Sequence, residues 1–186
     1  MNQENMKNQP VTFTNWLDEK YYLKANKTKK GKTTYTITKT LSDACIDKIP
    51  DGYEVVYNNS GGFVARKKKP TLFTPEMISI MESELKKNKN IGSYRIDING
   101  DAIIYIGEKI EIGKEFAQMF NRIMQSPRNQ QAMMKLIIEN GEFILYRYNF
   151  RGSFDNWWFI KNSKDLKYII SKFFPLLGTD AFYELI

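Results

Sequence analysis

Two Asn-Gly dipeptides, Asn99-Gly100 and Asn140-Gly141, each lie between runs of apolar residues. Both residues of such a pair tolerate positive φ, so the dipeptide closes the tightest antiparallel turns. Tyr94-Arg95-Ile96-Asp97-Ile98 alternates before the first, and the apolar run Ala102 to Ile106 follows it, apolar enough to be buried on both faces. Met133 to Ile138 and Glu142 to Phe150 flank the second. The second half of the chain is thereby committed to antiparallel hairpins.

Helical signals punctuate these hairpins. Thr74-Pro75-Glu76 supplies a cap, a first-turn proline and an acid at the positive end of the dipole. Met77, Ile78, Met81 and Leu85 then recur at helical spacing. Phe116, Met119, Phe120, Ile123 and Met124 form a second apolar stripe between Gly113 and Ser126-Pro127. Ser163 caps a third helix with Leu166, Ile169, Ile170, Phe173 and Phe174 inward, ended by Pro175, and a turn of helix around Ala181-Phe182 closes the chain. Trp157 to Ile160 reads as a further strand. The expected class is α+β: antiparallel β-hairpins or a sheet packed against about three amphipathic helices.

The first third reads differently. Residues 1–10 form an expected flexible arm, residues 11–70 a basic β-rich subdomain and residues 71–186 the α+β subdomain. Tyr21-Tyr22-Leu23 and the Thr-rich Thr33 to Thr38 predict a hairpin whose tip carries Lys27, Lys29, Lys30 and Lys32 around Gly31. Ser42 is expected to cap a short helix to Ile49, with Cys45 on an apolar stripe with Leu41 and Ile49, hence in the core. Tyr53 to Tyr57 and Phe63 to Lys67 predict a second hairpin around Asn58-Asn59-Ser60-Gly61-Gly62.

Charge follows the same division. The chain has 28 Lys+Arg against 21 Asp+Glu, a net charge of +7. Residues 1–70 hold 13 of those basic and 7 of those acidic side chains. Lys20 to Lys39 contains seven lysines and no acid, and Arg66-Lys67-Lys68-Lys69 follows. Such a field attracts polyanions and speeds their encounter.

Several chemistries drop out. With no His and one Cys, the chain holds no imidazole-based triad, no intramolecular disulfide and no multi-cysteine zinc site. No phosphate-binding Gly-rich loop occurs, and no cofactor is expected. Asp97 to Glu108 matches an EF-hand calcium loop at positions 1, 3, 5 and 12, but Ala102 stands where the turn glycine belongs. The flanking residues read as a hairpin, so no metal site is expected. No apolar run is long enough for a signal or a membrane span. A soluble protein of a reducing compartment, the cytoplasm, is expected.

The leading reading is a non-catalytic basic module contacting nucleic acid or another polyanion. Its site residues would be Lys24, Lys27, Lys29, Lys30, Lys32, Arg66, Lys67, Lys68 and Lys69, with Tyr21, Tyr22 and Tyr35 for stacking. The alternative is a regulatory accessory protein that docks a protein partner through the aromatic C-terminal half, using Arg147, Arg151, Trp157 and Trp158. On a strand, Tyr146, Tyr148 and Phe150 share one face and are expected in the core, with Arg147 and Arg151 outward. A remote alternative is a His-free, metal-dependent hydrolase built on Asp97 with Glu108-Lys109. Oligomeric state leaves no mark in the sequence.

Overall fold

In the computed structural model the described residues are 9–58, 60–110, 123, 126–149 and 157–185. The chain divides into two units, residues 1–68 and 69–186.

In the first unit, β1 (Thr12–Thr14), β2 (Lys20–Lys27) and β3 (Thr33–Thr38) form a three-stranded antiparallel sheet in that order. Asn15 builds the β1–β2 turn. Its side-chain oxygen accepts from the backbone N–H groups of Leu17 and Glu19, both at 2.9 Å, while Asp18 takes a positive φ of 61°. The β2–β3 ladder runs from Tyr22↔Thr38 to Lys27↔Thr33. Its tip is closed by Gly31 at φ 77°, whose N–H donates to the Thr28 carbonyl at 2.9 Å. The ribbon of β4 (Tyr53–Tyr57) and β5 (Phe63–Lys67) is a separate pair, with Tyr53 opposite Lys67 and Tyr57 opposite Phe63.

The second unit is a meander. β6 (Ile91–Asn99), β7 (Asp101–Glu108), β8 (Gln130–Glu139), β9 (Glu142–Tyr148) and β10 (Trp157–Ser163) pair in sequence order, each antiparallel to the next. Asn140 and Gly141 sit at φ 51° and 76°, as a two-residue turn of this hand requires. At the other Asn-Gly, Asn99 pairs with Asp101, so Gly100 alone turns the chain at φ 91°. The hairpin separates Asp97, opposite Ile103, from Glu108, opposite Ile91, which removes the geometry of a calcium loop.

Helices α1 (Pro75–Lys87), α2 (Leu166–Phe173) and α3 (Asp180–Tyr183) contribute buried side chains to the core of this unit, α3 only Phe182. Met81 and Leu85 from α1 meet Ile169, Ile170 and Phe173 from α2 over Ala102, Ile104, Met134, Leu136 and Leu145. Each fully buried side chain of this kind contributes about 1.5–3 kcal/mol relative to exposure. Asn88 caps α1 and ties it to the turn after α2. Its amide nitrogen donates to the carbonyls of Phe174 at 2.9 Å and Leu177 at 3.0 Å. The fold is thus mixed sheet with few helices, an α+β arrangement. The expected helix over 113–124 lies outside the described residues except for Ile123, which is exposed. Residues 1–8 of the expected arm, Asn59 of the turn between β4 and β5, and Phe150 and Arg151 also lie outside them.

Beyond the cap of α2, which is Asp165 accepting from Lys167 N–H at 2.8 Å and not the expected Ser163, the last residue of β10, two expectations are corrected. Residues 42–49 do not form a helix. This segment takes the free edge of β2 beyond β1: Ala25 N–H donates to the Ala44 carbonyl at 3.0 Å, and Ile46 N–H to the Leu23 carbonyl at 2.9 Å. Cys45 bridges Lys24 there and is half-buried, not core, while Leu41 is exposed. The second correction is the facing of β9. Phe143, Leu145 and Arg147 point into the core, and Tyr146 and Tyr148 lie half-buried on the other face. The aromatic face expected inside is outside, and the arginine expected outside is in.

Candidate functional site

The lysine hairpin has the expected form. Lys27, Lys29, Lys30 and Lys32 are all exposed at the β2–β3 tip. The tip loop is held by its own polar groups: Lys32 N–H donates to Thr28 Oγ1 at 3.1 Å, and Thr28 N–H to the Lys32 carbonyl at 2.9 Å. Lys24 sits further down β2, half-buried, on the face it shares with Tyr22 by strand alternation.

Ring contacts fix where the second ribbon lies. Phe63, at the loop end of the β4–β5 ribbon, packs 5.4 Å from Tyr21 and 5.7 Å from Phe13. These residues mark the open end of β2. Tyr53, at the opposite end of that ribbon, meets Tyr35 at 4.8 Å. Tyr35 pairs with Ala25, two residues short of the last pair before the lysine tip. Since Tyr53 is paired with Lys67, Lys67 and Lys68 leave the ribbon toward the tip end. Both are exposed, and Lys68 N–H donates to the Gly52 carbonyl at 2.9 Å, next to Asp51. Six lysines, at positions 27, 29, 30, 32, 67 and 68, therefore belong to one end of the first unit.

Other members of the expected set are used differently. Arg66 is bound across the ladder to Glu54, Nε to Oε1 at 2.8 Å. Lys69 belongs to the second unit, its N–H donating to Asn99 Oδ1 at 2.9 Å. Tyr35 is spent on Tyr53, and Tyr21 packs on Phe63 while its hydroxyl donates to Glu19 Oε2 at 3.0 Å. Tyr22 is left on the face away from these ring contacts. Lys39, counted in the basic run but not among the expected site residues, pairs with Glu19 at 2.7 Å. The Lys39 ammonium, with Asn15 and Tyr21, holds the Glu19 carboxyl below its ordinary range, and Glu19 in turn raises Lys39.

In the second unit Arg147 is buried, its Nε donating to the Leu185 carbonyl at 3.1 Å and its Cζ lying 5.2 Å from the Trp158 ring. Trp157 lies on the other face, 5.2 Å from Tyr148. Lys135 stands between two rings there, 5.0 Å from Tyr146 and 5.1 Å from Trp157. Trp158 is 47% exposed and its neighbour Phe159 55%. The sequence reading missed Phe159 and Lys135. Their signal is strand pairing, which puts Lys135 and Phe159 on either side of Tyr146.

A cavity of about 470 Å³ between the ends of β7 and β8 and α3 carries Glu108, Lys109, Arg128, Asp180 and Tyr183. Burial, then Glu108 and Asp180, push the Tyr183 phenol up, so it stays protonated at neutral pH. Asp97 lies elsewhere, 3.9 Å from Arg95 Nη1. Among the described residues no three His, Cys, Asp or Glu side chains come together as a metal would need. No helix among them is long and apolar enough to cross a membrane.

No protein-family model, no curated protein and no solved structure matches the chain.

Proposed function

We propose that the protein is a non-catalytic module that binds nucleic acid through phosphate contacts from the lysine end of its first unit. The observation that carries this reading is the Tyr35–Tyr53 contact, which turns the Lys67-Lys68 end of one ribbon toward the lysine tip of the other. Six exposed ammonium groups on rigid β-ribbons suit the regularly spaced charges of a nucleic acid backbone and offer little means to read bases. Tyr22 and Lys24 supply a neighbouring ring and cation on one face of β2. A reducing, nucleic-acid-rich compartment such as the cytoplasm fits the reading.

The experiment is binding of a fluorescent oligonucleotide across a salt series. Full engagement of the six lysines gives a slope of log K against log salt of roughly −5 on duplex DNA. Binding that ignores salt, or none at low salt, overturns the proposal.

A further inference from the structure

We propose that the outer edge of β10 accepts an extended acidic peptide, which adds to the meander as a sixth strand. β10 ends the sheet, and among the described residues no strand pairs with its outer side. An edge strand presents a row of backbone donors and acceptors to any chain that can lie beside it. Trp158 and Phe159 are adjacent in sequence, so they stand on opposite faces of the strand, and both are about half exposed. On one face the Trp158 ring lies 5.2 Å from the Arg147 guanidinium, and on the other the Phe159 ring lies 6.2 Å from Tyr146. The opposite edge, β6, carries no exposed large apolar side chain. The two edges of one sheet are therefore finished differently.

Charge selects the occupant. Past the bulge after Phe159, Lys161, Lys164 and Lys167 are all exposed. The carboxylates near them are already occupied: Glu142 accepts from Asn162 Nδ2 at 2.7 Å, and Asp165 caps α2 by accepting from Lys167 N–H at 2.8 Å. Lysines and a bulge on an edge strand oppose pairing with a second copy, which would bring the same charges. A strand carrying glutamates or aspartates meets attraction where a second copy meets repulsion. Antiparallel addition continues the pattern of the sheet and makes the stronger ladder. The partner's acids then precede its apolar residues in sequence, acids facing Lys161 to Lys167 and apolar side chains facing Trp158 and Phe159. This site is on the second unit and does not depend on the lysine tip of the first.

The test uses the full chain and a fluorescein-labelled peptide of three glutamates followed by six alternating valines and threonines. Anisotropy should report saturable binding. Trp158→Ala and Phe159→Ser should each weaken it about tenfold or more, as anchor residues do. Phe159→Ser keeps the test valid if Trp158→Ala unfolds, because Phe159 lies on the face away from the buried Arg147 and is 55% exposed. Lys161→Glu with Lys164→Glu should lose the glutamate peptide and gain its lysine counterpart. A peptide N-methylated at alternate residues should not bind. The proposal falls if the N-methylated peptide binds as well as its parent, or if the lysine peptide matches the glutamate peptide on the native chain. Displacement of the peptide by an oligonucleotide through Lys161 overturns it too, and so does a dimer abolished by Phe159→Ser. The triple variant Lys29→Glu, Lys30→Glu, Lys32→Glu should keep peptide binding, so failure here and failure of the nucleic acid reading remain separate.

Discussion

The Tyr35 ring meets the Tyr53 ring at 4.8 Å and 71°, edge to face, joining two ribbons that share no backbone ladder. Such a pair adds about 0.5–1.5 kcal/mol beyond its burial. Its larger consequence is alignment, because it decides which end of β5 accompanies the lysine tip. Lys67→Glu with Lys68→Glu should therefore weaken oligonucleotide binding as charge reversal at Lys29 and Lys30 does, with an unchanged melting temperature. Arg66→Gln should do the opposite: it removes the Glu54 pair and lowers the melting temperature, with little loss of binding. Equal binding losses from Arg66 and Lys67 substitutions would show that the ladder pair does not hold Arg66.

The Glu19–Lys39 pair gives a pH dependence with a definite sign. The Glu19 carboxyl titrates below its unfolded value, about 4.3, because Lys39, Asn15 and Tyr21 all donate to its ionised form. Its stabilisation is present above that unfolded value and lost as pH falls through the lowered folded value. Lys39 runs the other way: its folded value is raised, so its contribution is lost as pH rises through that value. The pair lies on the surface, so salt screens it and the effect is small. Titration of the Glu19 side-chain carbon by NMR should show the depressed midpoint, and Lys39→Met should return it toward the free value.

The local signals in this chain were those with a steric or capping cause. Asn140-Gly141 adopts the pair of positive φ angles that its composition allows, and Thr74 caps α1 by accepting from Met77 N–H at 3.3 Å. What failed depended on distant partners. Leu41, Cys45 and Ile49 are spaced like a helical stripe, but the unfilled edge of β2 offered their backbone a ladder instead. Along β9 both alternating sets are rich in apolar atoms, so a period of two cannot choose between them. The choice comes from β8, where Leu136 stands opposite Leu145 and Met134 opposite Arg147, pulling that set inward. The lysine tip was legible from composition and turn chemistry. Its relation to Lys67 was not, because it rests on ring contacts between residues far apart in sequence.

Arg147 is the residue whose placement departs most from its chemistry. Its guanidinium is buried, bonds the Leu185 carbonyl and lies against Trp158. Arg147→Ala leaves that carbonyl without its donor and removes the support under the indole. A hydrogen bond from a charged group is worth about 1.5–3 kcal/mol, and urea denaturation should show a loss of that order. A change within a few tenths of a kcal/mol would mean that Arg147 is solvated.

Asn88 offers the sharpest test of how α1 and α2 are locked together. One amide nitrogen serves two carbonyls, of Phe174 and Leu177, while the side-chain oxygen accepts from Asn90 N–H at 2.8 Å. Asn88→Asp keeps the size and the oxygen that faces Asn90 but turns the donor into an acceptor. Two carbonyls at the end of α2 then face a carboxylate. The Phe174 carbonyl keeps the Leu177 N–H as a donor at 3.1 Å, so the loss falls on the Leu177 carbonyl. Leaving a buried acceptor unsatisfied costs about 1–3 kcal/mol, so the variant should lose an amount of that order at neutral pH and recover part of it in acid, once the carboxyl is protonated and donates again. Asn88→Ala loses the donor without adding charge and should fall between the two, with no acid recovery. Thermal melts of both variants at pH 7 and pH 4 check this. If Asn88→Asp matches Asn88→Ala at both pH values, charge repulsion at this junction is absent and the amide bonds alone hold it.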